Sequence, residues 1–159
     1  MARVIPNEQS YLGFLPAVAD LSSVTSAELT AGKNLTSYLI SINASTTGNT
    51  VPTPNISTLF ETSIAGTVQA TLTADFYRDN GDQLTDDLAW KTLPRKTAGF
   101  FVIQRFGGTG STPLADDKVE VWPILVVSRT MSNMANNTVE TFTVTCSIPN
   151  VPAEDAVIA

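Results

Sequence analysis

The alternation of apolar and polar positions is clearest between residues 118 and 148. In the run 139–148, Phe142, Val144, Cys146 and Ile148 share one parity, and Thr141, Thr143, Thr145 and Ser147 share the other. Side chains of a strand alternate faces, so this run predicts a half-buried strand with an apolar face and a hydroxyl face. The run 119–127 is apolar on both parities, with Val121, Leu125 and Val127 on one and Trp122, Ile124 and Val126 on the other. It predicts a strand covered on both sides. The polar stretch 128–137 suits a loose hairpin loop between the two.

The same alternation returns over 66–77. Val68, Ala70, Leu72, Ala74 and Phe76 face one way, and Thr67, Gln69, Thr71, Thr73 and Asp75 face the other. If this strand and the one at 139–148 lie in one sheet, that sheet presents a broad, mostly neutral polar wall. Tyr38, Ile40 and Ile42 predict a short strand over 36–43, and 98–106 predicts another, apolar except at Gln104 and Arg105.

Helical signals are brief. Thr25-Ser26-Ala27-Glu28 fits a capping box, with Gly32 placed to end the turn in a left-handed conformation. Asn80-Gly81 marks a turn. Thr85 then caps a second short helix, with Asp86 and Asp87 in its first turn and Pro94 at its end. Leu84, Leu88 and Trp90 are the candidate anchors of this helix to the sheet.

Three stretches have no sustained period. Residues 1–23 predict an extended arm with a short strand at 11–15. Residues 44–58, rich in Ser, Thr and Asn with Pro52 and Pro54, predict a long loop. It is either a floppy surface loop or an interaction arm that orders on assembly. The tail 149–159 ends in Ala156-Val157-Ile158-Ala159 and is expected to dock on this chain or a neighbour. The expected fold is mainly β: an antiparallel β-sandwich or barrel-like sheet with one short flanking helix and extended terminal arms.

Composition sharpens this picture. A chain of 159 residues suits a single domain, 1–159. It is 43% hydrophobic and only 15% charged, where roughly a quarter charged is usual for a soluble domain, so part of its surface is expected to be buried against other chains. There is no histidine and one cysteine, which removes a His general base, a His/Cys metal cage and an intrachain disulfide. Cys146 falls on the apolar parity of its strand and reads as core. The net charge of −6 argues against tight nucleic-acid binding, though not against DNA sliding past without sticking. No signal peptide or membrane span is expected. The Asn-x-Ser/Thr matches at Asn34, Asn43, Asn55 and Asn136 carry little weight without a secretory signal.

Candidate chemistry does not assemble. The aspartates at 75, 79, 82, 86 and 87 miss the calcium-loop spacing, because Phe76 and Arg78 occupy ligand positions. The pairs Asp86/Asp87 and Asp116/Asp117 lack the aromatic platforms of a glycosidase. The run Gly107-Gly108-Thr109-Gly110-Ser111 matches neither phosphate-binding pattern and reads as a connector. Serine nucleophiles have no His partner. The expectation is no enzyme, no cofactor and no metal.

Four segments in order carry a family resemblance: residues 25–36; residues 71–79 followed by an acidic turn and Asp87-Leu88-Ala89-Trp90; Lys118-Val119-Glu120-Val121-Trp122-Pro123; and Val151-Pro152-Ala153-Glu154-Asp155-Ala156-Val157. With them the chain resembles, over nearly its whole length, a major tail (tail tube) protein of a long-tailed bacteriophage with a non-contractile tail. The resemblance implies a small β-sandwich that forms hexameric rings, stacked into a tube that conducts the genome. Its partners would be further copies of itself, other tail proteins and DNA in transit, with no membrane. It would reside in the virion tail after assembly in the host cytoplasm. On this reading Thr67, Gln69, Thr71, Thr73, Thr141, Thr143 and Thr145 face the lumen. Thr50, Val51, Pro52, Pro54, Ile56, Val157 and Ile158 make ring-to-ring contacts. The alternatives are another virion component, a capsid decoration protein or a tail terminator, and a monomeric β-barrel binding module.

Overall fold

The computed structural model describes residues 9–57, 60–79, 86–108 and 112–159. Its strands are β1 (Tyr11–Leu15), β2 (Ser23–Val24), β3 (Lys33–Asn34), β4 (Leu39–Thr53), β5 (Thr62–Tyr77), β6 (Ala98–Gln104), β7 (Lys118–Met131), β8 (Thr141–Ser147) and β9 (Ala153–Ile158). Two short helices, α1 (Ser26–Ala31) and α2 (Leu88–Thr92), and a 3-10 turn at Thr36–Tyr38 complete it. The strands form one sheet in the order β3-β1-β6-β7-β8-β5-β4, with β9 branching off between β7 and β2. Every pairing is antiparallel except β2 with β9.

The two-sided apolar pattern of residues 119–127 explains the layering. On β7, Trp122, Ile124 and Val126 face one core while Val119 and Val121 face another. β1 and β6 divide the same way: Leu12, Phe14, Phe101 and Ile103 join the first core, and Tyr11, Leu15 and Val102 the second. The first core is closed by Leu72, Ala74 and Phe76 of β5 and by Phe142, Val144 and Cys146 of β8. The second is closed by Val24, Leu29, Ala156 and Ile158. Fully burying side chains of this size contributes about 1.5–3 kcal/mol each, so the central strands are held from both faces. Phe14 meets Phe101 edge-on, with ring centroids 6.1 Å apart. Gly99 makes room for it, since a Cβ there would lie 2.5 Å from the Phe14 ring.

The hairpin of β7 and β8 forms as expected, but β7 continues to Met131 through a bulge at Val127. The bulge shifts the parity, so Arg129, not Ser128, opposes Val144. Leu125, opposite Ser147 on the hydroxyl-bearing side, and Val127, at the bulge, are exposed, although the sequence predicts cover on both sides.

The largest correction concerns 44–58. The stretch to Thr53 is not a loop: it belongs to β4, which pairs with β5 from Leu39↔Phe76 to Thr53↔Thr62. A strand exposed on both faces has no apolar alternation to reveal it, and the backbone ladder alone defines it here. Pro52 fits because β4 is an edge strand that can spare an N–H. At its root, the predicted strand over 36–43 is a 3-10 turn followed by β4, and a register shift between Leu39 and Ser41 turns Ile40 outward.

Smaller differences have local causes. Gly32 ends α1 in an extended conformation (φ −75°, ψ −175°), not a left-handed one. The predicted box at Thr25 is present, with Thr25 Oγ1 accepting from the Glu28 amide and the Glu28 carboxylate accepting from the Thr25 and Ala19 amides. Helix α2 starts at Leu88 behind a left-handed Asp87 (φ 54°), whose carboxylate caps nothing because Arg78 engages it. Leu84 and Thr85 lie outside the described residues, as do residues 109–111 of the connector and 1–8 of the N-terminal arm. The C-terminal tail is not a free arm: β9 pairs with β7 and β2. β8 and β9 run along one edge of β7, interrupted by the segment 148–152, whose Pro149 and Pro152 cannot donate to a ladder. The interruption leaves an open groove of about 690 Å³ lined by Val68, Ala70, Ile148 and Val151.

Candidate functional site

The two hydroxyl-bearing strands are direct neighbours. Thr71, Thr73, Asp75 and Tyr77 of β5 stand opposite Ser147, Thr145, Thr143 and Thr141 of β8. Two further strands widen the surface. Ser41, Asn43, Ser45 and Thr47 of β4 oppose Asp75, Thr73, Thr71 and Gln69, and Ser128 and Thr130 of β7 oppose Thr145 and Thr143. The result is four-stranded rows such as Asn43, Thr73, Thr145 and Ser128. The reverse of β5 and β8 in this region carries the core residues Leu72, Ala74, Phe76, Phe142, Val144 and Cys146. Period-two patterning thus sorts hydroxyls outward and hydrocarbons inward.

Asp75 is the single charged side chain on these rows. Both of its oxygens are occupied: Thr143 Oγ1 donates to one and Ser41 Oγ donates to the other at 2.7 Å. Those two hydrogen bonds, Thr143's first, hold the Asp75 carboxyl below its ordinary range. Ser45 and Thr71 share a further hydrogen bond at 3.3 Å. The hydroxyls thus hydrogen-bond across strands, and no Lys or Arg side chain stands in these rows to hold a phosphate.

β4 and β5 continue past the wall as a two-stranded arm. The last β5 residue paired to β8 is Thr71, yet β5 begins at Thr62. At about 3.4 Å per residue the arm reaches roughly 30 Å beyond the body. It is exposed on both faces, and its turn carries Ile56 and Phe60 at 108% and 78% exposure.

The predicted residues separate on this geometry. Thr71, Thr73, Thr143 and Thr145 are contiguous on the wall and Thr141 lies at its end beside Tyr77, whereas Thr67 and Gln69 lie on the arm. Thr50, Val51 and Pro52 are in the β4 strand of the arm, and Pro54 and Ile56 are in its turn, all exposed. Val157 is partly exposed on β9, but Ile158 is 2% exposed inside the second core. Ile158 is therefore removed from the ring-to-ring set: a side chain sealed within its own chain cannot face another. Sequence reasoning missed Ser41, Asn43, Ser45, Ser128 and Thr130. For the first three the signal was present as polar residues at every second position.

Helix α2 anchors beside the wall's far end. Leu88 packs on the first core, and the Trp90 ring meets Phe142 edge-on at 5.1 Å. Two guanidinium groups lie against the same indole, Arg129 Cζ at 3.6 Å and Arg78 Cζ at 4.2 Å from its centroid. Arg129 Nη1 also donates to the Trp90 carbonyl at 2.9 Å. Among the described residues no group of His, Cys, Asp and Glu is placed to hold a metal ion. Burial pushes the Cys146 thiol up to about 12.

No curated protein matches the chain. Among solved structures it is similar to a chain in the virion of a native gene transfer agent particle (TM-score 0.56, 12% identity, covering 80% of this chain and 91% of that one). It is also similar to a chain in the tail of an empty gene transfer agent particle of C6 symmetry (TM-score 0.53, 12% identity, 79% and 87% covered). At that identity the likeness is one of fold. The phage tail tube protein family matches residues 1–159. A β-rich chain with an inert polar wall, matched from end to end, belongs to the phage tail tube protein family and is a structural component of the virion tail, not an enzyme.

Proposed function

We propose that the chain assembles into hexameric rings that stack into the tail tube, the conduit through which the genome is ejected. The observation that carries this reading is the wall: four adjacent strands present hydroxyls and one hydrogen-bonded carboxylate, with no cation to trap a phosphate. Placed toward the lumen, Thr71, Thr73, Thr141, Thr143 and Thr145 would let DNA slide, with Thr67 and Gln69 continuing the surface along the arm. The C6 symmetry of the structurally similar tail supports six subunits per ring.

β4 lies at the edge of the sheet, and an edge strand left open invites pairing with another chain. Ring closure by sheet extension satisfies it. The arm, with Thr50, Val51, Pro52, Pro54 and Ile56, supplies ring-to-ring contacts, and Val157 remains a peripheral candidate. Other tail proteins meet the two ends of the tube, and assembly takes place in the host cytoplasm. The test is electron microscopy of the purified chain across a concentration series, with light-scattering mass alongside. Hollow tubes with a regular axial repeat are expected. Closed rings that never elongate would point to a terminator, and a monomer that no initiator converts would sink the reading.

A further inference from the structure

Two bulges decide what stands in the wall row Ser41, Asp75, Thr143 and Thr130. On β4 the register shifts between Leu39 and Ser41. Carried on from Leu39↔Phe76 without that shift, the ladder would set Ile40 opposite Asp75 in place of Ser41. On β7 the shift falls between Val126 and Ser128. Carried on from Val126↔Cys146 without it, the ladder would set Arg129 opposite Thr143 in place of Thr130. One bulge thus brings a hydroxyl to the side of Asp75, and the other turns a guanidinium off the wall. Arg129 opposes Val144 instead and lies over the Trp90 ring.

The hydrogen-bond polarity of the row follows from these neighbours. A serine or threonine hydroxyl has one donor, and a carboxylate has none. Ser41 Oγ and Thr143 Oγ1, on the strands either side, both donate to Asp75. Every site these three side chains have left is an acceptor. Neither ion pair among the described residues involves Asp75, so its charge is not cancelled by a cation. A phosphate oxygen, itself an acceptor, meets a negative charge there and no donor from these three groups.

We infer that Asp75 is the residue that makes the wall exclude phosphate: it holds the Ser41 and Thr143 donors on its own oxygens, while the β7 bulge keeps Arg129 from neutralising it. Resting on the tail-tube reading, this gives the wall's one charge a role. A surface without cations is passive, whereas this row repels. A carboxylate that served only to stitch β4, β5 and β8 together would set the melting temperature and leave ejection alone.

The experiment follows DNA ejection, at low and high salt, from virions built with the full-length chain. The chains are wild type, Asp75→Leu, Asp75→Asn and the triple variant Asp75→Leu/Ser41→Ala/Thr143→Val. Microscopy checks the tubes and thermal melting the fold. Asp75→Leu removes the charge and frees both donors, and is expected to slow ejection about twofold or more at low salt. Asp75→Asn, which keeps the shape of the side chain, should slow it too. High salt screens the charge, so the delay left in Asp75→Leu comes from the freed donors, and the triple variant should lack it. No delay in Asp75→Leu at high salt, or an equal one in the triple variant, would overturn the donor-holding role. Virions with Thr71→Lys separate this inference from the reading beneath it. If they eject slowly while Asp75→Leu and Asp75→Asn eject at wild-type speed, the role of Asp75 alone is overturned. If they too eject at wild-type speed, the wall does not face the lumen, and this inference goes with it.

Discussion

Arg78 and Asp87 form a two-point ion pair, Nη2 to Oδ2 at 2.7 Å and Nε to Oδ2 at 2.9 Å, that ties the end of β5 to the start of α2. Asp87 is 2% exposed, and its other oxygen also accepts from the Asp79 amide. The pair therefore pins both ends of the connection and holds Trp90 against Phe142.

Asp87→Ala should leave Arg78 without its counter-ion beside Arg129. Breaking a buried pair from one side costs about 3–5 kcal/mol; the partial exposure of Arg78 reduces this to about 2–3 kcal/mol. A calorimetric Tm roughly 5–10 °C lower is the expected result at this chain length. A change of under about 2 °C would show that the pair is dispensable.

Asp75 gives a pH signature. Its folded pKa is depressed, by the Thr143 hydroxyl first and that of Ser41 second. Its stabilisation is therefore present above the unfolded value near 3.8 and is lost as pH falls through the lower folded value. Wild type and Asp75→Asn should differ in Tm at neutral pH, and the gap should close as the pH falls from 3.8 through the lower folded value. A gap that persists or widens in acid would contradict this assignment.

The wall's neutrality is tested by adding charge. Thr71→Lys and Thr143→Lys place ammonium groups on adjacent strands where none stands now. Virions built from either variant should still have tubes, but should eject DNA more slowly, with a delay that shrinks at high salt. Unchanged ejection would remove these residues from the lumen.

Cys146 reports on the first core. With its thiol at about 12, almost no thiolate exists at pH 8. Labelling by a disulfide reagent should be at least about a hundredfold slower in the native chain than in denaturant. Fast native labelling would mean that the β5–β8 layer opens readily.

What the sequence revealed tracks what burial dictates. Phe142, Val144 and Cys146 announce their strand because one face must be dry and the other wet. Beyond Ala44 and Ser45, residues 46–53 announce nothing, since both faces of the strand are exposed there and Thr, Asn and Gly serve a strand as well as a loop. The bulges at Ile40 and Val127 each reverse a face without leaving a local mark, which is why Ile40 reads as inward and Arg129 as an ordinary loop residue. Ala156 and Ile158 are too few to define a period, so β9 reads as a tail. The adjacency of β5 and β8 is a long-range fact. Each hydroxyl face is legible alone, and their union into a wall is not.

β7 runs for 14 residues through both cores, tied to β6 and β9 over its first half and to β8 over its second. A force applied along the wall passes into the second core through ladders lying side by side and crossing the direction of pull. Such ladders yield only if many hydrogen bonds slide at once, whereas a hairpin pulled apart at its open end gives way one bond at a time. The strand thereby acts as a tie-beam, carrying tension from the first core to the second without a hinge between them.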